Sequence, residues 1–68
     1  METLPFRDVL ELLEAHGWTL YAVMGTSRVF KKKGEALPIV FQVNDKRVDI
    51  EYVERIKNIL SEGRKEEE

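Results

Sequence analysis

Trp18-Thr19-Leu20-Tyr21-Ala22-Val23, Thr26-Ser27-Arg28-Val29-Phe30-Lys31-Lys32 and Leu37-Pro38-Ile39-Val40-Phe41-Gln42-Val43 decide the fold. Each run is short and rich in β-branched and aromatic residues, which marks a strand. Gly25 separates the first from the second. Lys33-Gly34-Glu35-Ala36 separates the second from the third, with Gly34 free to take positive φ. Links this short predict a three-stranded antiparallel meander. Pro38 fits near the start of its strand or on an edge, because it has no N–H for the ladder.

Working outward, residues 4–16 read as an amphipathic helix. Phe6, Val9, Leu10 and Leu13 repeat at helical spacing, with Arg7, Asp8, Glu11 and Glu14 on the other side. Thr3 reads as the N-cap, Pro5 lies in the first turn, and Gly17 closes the helix after His16. Downstream, residues 44–48 read as a polar loop. Asp49 reads as the N-cap of a last helix over about 50–61, with Val53, Ile56, Ile59 and Leu60 as its apolar stripe. Ser61-Glu62-Gly63 ends that helix. The predicted order is αβββα, an α+β domain with two helices on one face of the sheet. The other face is left to solvent or to a partner. One domain spans residues 1–63, and residues 64–68 form a charged tail.

At 68 residues there is one domain, whose thin core leaves little margin of stability. The chain has no cysteine, so no disulfide staples it, and one histidine is too few for a zinc site. Self-association is therefore expected. The longest apolar runs, such as Pro38–Phe41, are far short of a membrane span, and no signal-peptide pattern opens the chain. The expected location is the cytoplasm. The formal net charge is -2, against the basic excess of a dedicated nucleic-acid binder. Glu66, Glu67 and Glu68 account for that sign, and the balance without them leaves room for a local basic patch.

A helix ending in His16-Gly17-Trp18, then Gly25-Thr26-Ser27-Arg28-Val29-Phe30, then Pro38–Val43, then a last helix from Val53 to Leu60 resembles the HicA family. These are small toxins of bacterial toxin–antitoxin pairs that cleave RNA without a metal, on a fold like the double-stranded-RNA-binding domain. The likeness covers residues 6–60. It implies RNA and a cognate antitoxin as partners and no cofactor. In the family motif a glycine and a Ser or Thr precede a histidine, a basic residue, an aliphatic one and an aromatic one. Gly25, Thr26, Arg28, Val29 and Phe30 match. Ser27 stands in the place of the catalytic histidine. Phosphodiester cleavage by the 2′-OH needs a group that takes and returns a proton near neutral pH, and imidazole does both. A serine needs another base to activate it.

The RNA-contact candidates are Thr26, Ser27, Arg28, Lys31, Lys32, Lys46 and Arg47, with Lys33 beside them; Arg28 is suited to clamp a phosphate. The same lysines also serve as solvated charges that discourage edge pairing. His16 is a substitute base on one reading and a helix C-terminal residue on the other. Gly25 serves a hairpin turn or a close approach to phosphate. Tyr21 and Tyr52 could stack on bases, Trp18 is core or interface, and Asp45, Asp49, Glu51 and Glu54 lack the spacing of a calcium loop. No metal site is expected. Two functions lead: a HicA-like RNA-binding protein with ribonuclease activity weak or lost, and a non-catalytic interaction or oligomerisation module with no RNA role; an active ribonuclease using another base comes third.

Overall fold

The three runs of β-formers become the three strands of one antiparallel sheet. The computed structural model describes residues 2–65, with side chains through Ser61. The chain runs β1 (Thr3–Pro5), α1 (Phe6–Ala15), β2 (Thr19–Met24), β3 (Ser27–Lys31), β4 (Ile39–Gln42), β5 (Arg47–Asp49) and α2 (Ile50–Lys65). Strands β2, β3 and β4 form the larger sheet in that order. The α+β class is as expected. The αβββα order is not complete, because β1 and β5 pair antiparallel as a second sheet.

That small sheet corrects the predicted start of the first helix and leaves that of the last in place. Thr3 does not cap α1; it lies in β1 opposite Asp49, and Leu4 and Pro5 follow opposite Val48 and Arg47. Pro5 takes the N-cap position with extended backbone and no side-chain cap. The reason is that the ladder supplies what a cap would. The N–H of Phe6 donates to the Lys46 carbonyl at 2.9 Å, and that of Ile50 donates to the Glu2 carbonyl at 3.0 Å. Helix N–H groups that need partners thus find them across the sheet. Asp49 holds the position before α2, as expected, while its backbone closes β5.

The predicted loop 44–48 is a hairpin. Asn44 and Arg47 exchange both N–H···O bonds at 2.9 Å, and Asp45 and Lys46 between them have φ of 55° and 64°. Two central residues at positive φ make a type I′ turn, whose twist matches that of the flanking strands.

Alternation along β3 and β4 sends Phe30, Ile39 and Phe41 to one face. There they pack with Val9 and Leu13 of α1, Val53 and Ile56 of α2, and Trp18, Val43 and Val48. Both helices therefore contribute to one core. The Phe30 and Phe41 rings stack at 5.5 Å between centres. Burying each such side chain is worth roughly 1.5–3 kcal/mol. On the opposite face Tyr21, Met24 and Val40 remain exposed, at 65%, 63% and 52%.

Helix α1 ends as the sequence predicts. His16 is the C-cap and Gly17 follows at φ 88°. The N–H of Gly17 donates to the Glu14 carbonyl and that of Trp18 to the Leu13 carbonyl, the paired bonds of a Schellman motif. Trp18 and Leu13 are both buried in the core cluster, where such a motif places its apolar pair. Helix α2 runs to Lys65, past the expected stop at Ser61-Glu62-Gly63. A glycine costs a helix about 1 kcal/mol but keeps its N–H, so it weakens the helix without ending it. Of the expected tail, Arg64 and Lys65 are helical, and Glu66 to Glu68 lie outside the described residues. Among the described residues no helix is long and apolar enough to cross a membrane.

Candidate nucleic-acid interface

Strands β2 and β3 are joined by two residues, because Met24 pairs directly with Ser27. Gly25 has φ 60°, and Thr26 is not among the residues at positive φ. That combination is a type II′ turn, which needs glycine at its first central position. A Cβ on Gly25 would meet nothing within 4 Å, so the backbone angle alone demands the glycine. Thr26 is exposed at the tip, and its carbonyl accepts the Val43 N–H at 2.8 Å.

Arg28 bends back onto this turn. Its Nη1 donates to the Gly25 carbonyl at 3.0 Å and to the Ser27 carbonyl at 3.3 Å. Its guanidinium lies 5.7 Å from the centre of the Phe6 ring, within range of a cation–π attraction. Phe6 in turn is bonded through its N–H to Lys46. A chain of contacts thus joins the β2–β3 turn, the start of α1 and the β4–β5 turn. Thr26, Ser27, Arg28, Lys46 and Arg47 gather at this end of the molecule. Arg47 is held against β1, its Nε donating to Thr3 Oγ1 and its Nη2 to the Thr3 carbonyl.

Lys31 and Lys32 are placed elsewhere. Lys31 is opposite Thr19 at the far end of β3, about 10 Å along the strand from Arg28. Its Nζ lies 3.9 Å from the centre of the Tyr21 ring on the uncovered face. The Lys32 side chain lies across Gly17, at the other end of α1. The basic run is continuous in sequence and divided in space.

Ser27 is half-buried between Met24 and Gln42. The chain's single imidazole is not near it. His16 is at the end of α1 remote from Phe6 and donates from Nδ1 to the Leu12 carbonyl at 2.9 Å. Ten residues of helix separate the two ends, about 15 Å. His16 instead lines an open groove of about 270 Å³ with Leu12, Lys57, Leu60 and Ser61. Ser27 thus has no imidazole beside it, and a serine hydroxyl needs such a base to attack or to move a proton. Among the described residues no group of three or more His, Asp or Glu is placed to hold a metal.

Phe6 is the site residue that sequence reasoning assigns elsewhere, to the core stripe of α1. It does pack on the core, with its ring 6.3 Å from Phe41, and its other side carries Arg28. No local pattern signals that second role, because the two residues are far apart in the chain. No protein-family model matches the chain, and neither a curated protein nor a solved structure matches it.

Proposed function

We propose that this chain is a HicA-like RNA-binding protein of the toxin–antitoxin type, with a fold of the double-stranded-RNA-binding kind and ribonuclease activity weak or lost. The observation that carries the reading is the meeting of Arg28 with the Gly25-Thr26-Ser27 turn and with the ring of Phe6, whose N–H is bonded to the Lys46 carbonyl. Phosphate recognition needs fixed N–H donors and positive charge in one place. Among the described residues Arg28 is tethered through Nη1, which leaves Nε and Nη2 for a phosphate. Lys46 and Arg47 add charge at the same end. The loss of activity follows from Ser27, which has no imidazole beside it. General acid–base help is worth about 10²–10⁴-fold in rate, and that share is what the serine forgoes. An antitoxin-like partner and self-association belong to the same proposal.

The test is cleavage of labelled single-stranded RNA in chelator by the natural chain and by Ser27→His. The expected result is that the natural chain binds without cutting and the histidine variant cuts. Cutting by the natural chain would overturn the inactive part of the reading, and His16→Ala would then locate the base. Absence of both binding and cutting would overturn the RNA reading as a whole.

The second reading is an interaction module with no RNA role. The exposure of Tyr21, Met24 and Val40 on the uncovered face favours it. Salt separates the two, since phosphate binding weakens steeply as salt rises and apolar association does not.

A further inference from the structure

The larger sheet has two edges, β2 and β4, and they are protected differently. The pairing of β2 with β3 is broken by a bulge between Leu20 and Ala22. A bulge twists an edge away from further pairing. Strand β4 pairs with β3 without a shift, and no charged residue occurs from Ala36 to Val43. Bulges and charges are common guards of an edge, and β4 has neither, keeping only its shortness and Pro38 at its head.

The hydrogen-bond phase of β4 follows from one bond. Val43 donates to the carbonyl of Thr26. With Arg28 opposite Phe41 and Phe30 opposite Ile39, alternation in an antiparallel ladder turns Ile39 and Phe41 inward to β3. The N–H and C=O groups of Val40 and Gln42 then point away from the sheet. Beneath this edge α2 and β4 frame a groove of about 250 Å³, lined mainly by apolar residues such as Ile39, Phe41, Ile56 and Ile59, with Arg55 also on its wall. Leu37 and Ile59 beside it are exposed, at 79% and 37%.

We propose that β4 is the seam of a homodimer, in which two copies of the strand pair antiparallel about a two-fold axis at Phe41 and join their sheets. The occupant is a second copy because the edge complements itself in one register. With the axis at Phe41, Val40 of each copy exchanges both backbone bonds with Gln42 of the other, and the shared ladder ends there, because the next outward pair sets Pro38 against Asn44, which is bonded to Arg47. An axis at Val40 would set Gln42 against Pro38, which has no N–H. An axis at Gln42 would set Val40 against Asn44, whose N–H and C=O are already bonded to Arg47. Self-pairing of an uncharged strand also places no like charges opposite each other. A two-fold contact of this kind is isologous, the commonest form of soluble oligomer. It also supplies the burial that an 8.0 kDa chain with a thin core lacks.

Sedimentation equilibrium and amide hydrogen exchange on the whole chain test this. The expected mass is twice 8.0 kDa, and the Val40 and Gln42 amides exchange at least about tenfold more slowly than exposed amides. Val40→Pro removes an outward N–H and no bond of the β3–β4 ladder, so the expected result is the single-chain mass with helix and sheet signals kept. If that variant fails to fold, exchange at Gln42 in the natural chain decides alone. A single-chain mass with fast exchange at both amides overturns the proposal and leaves the edge to an extended segment of another protein. A dimer in which both amides exchange fast also overturns it, and places the contact elsewhere, as on the Tyr21–Met24 face.

Discussion

Arg47 grips Thr3 at two points: Nε donates to the hydroxyl oxygen at 2.6 Å and Nη2 to the carbonyl at 3.2 Å. The two residues are 44 apart in sequence, so this tie fastens the start of the chain to the strand that launches α2. A charged donor strengthens such bonds, and exposure to water weakens them. Arg47→Ala is expected to lower the unfolding free energy by about 1 kcal/mol, seen as a drop of about 4–8 °C in Tm. Thr3→Val keeps the carbonyl bond and is expected to cost less. An unchanged Tm in Arg47→Ala would mean that the tie adds nothing.

Gly17 is required twice. Its φ of 88° penalises any Cβ, and a Cβ there would also come within 3.3 Å of Lys32 Cε. The second demand is mild, because a lysine side chain moves aside. The first is not, because the Schellman bonds to Glu14 and Leu13 fix the angle. Gly17→Ala is expected to cost about 1–2 kcal/mol in a urea titration. Gly17→Asn is expected to cost less, since asparagine tolerates this backbone region better. Equal costs for the two would argue against backbone strain as the cause.

Lys46 carries the opposite lesson. It occupies the second central position of a type I′ turn at φ 64°, where glycine is the preferred residue. Lys46→Gly relieves that strain, partly offset by the extra freedom of glycine in the unfolded chain. The expected outcome is a gain of up to about 1 kcal/mol in denaturant unfolding. A lysine kept at a strained site is consistent with a charge that is needed there. On the RNA reading the same variant binds RNA more weakly while folding better. A loss of stability would show that the turn relaxes around lysine.

The meander and both helices are legible in the sequence because their signals are periodic and local. Val9, Leu13, Val53 and Ile56 repeat at helical spacing and are buried; Phe30, Ile39 and Phe41 alternate and are buried. The small sheet is not legible. Thr3–Pro5 and Arg47–Asp49 are three residues each, too short to show alternation, and they meet only across the whole chain. Thr3 and Pro5 are also good helix-start residues, so a local reading prefers the wrong element. Asp45 and Lys46 hide their turn because neither is glycine. The site is half legible for the same reason. The Gly25-Thr26 turn with Arg28 can be read in line. Its link to Phe6 and Lys46 depends on folding, and so does the parting of Lys31 and Lys32 from Arg28.

That parting gives the basic residues different expected weights in RNA binding. Each phosphate contact on a single strand contributes about 0.7 to the slope of log affinity against log salt. On the proposed reading Arg28→Ala and Lys46→Ala each flatten the slope by about that amount. Lys33→Ala, in the turn beyond the far end of β3, leaves it unchanged. Arg28→Lys keeps the charge but loses the planar fork that holds both the Gly25 carbonyl and a phosphate. Its slope should match the natural chain while its affinity falls. Circular dichroism guards against a folding effect, since Arg28 also rests on Phe6. If Lys33→Ala costs as much as Arg28→Ala, the binding is diffuse attraction to charge, and the turn end of the molecule has no special part in it.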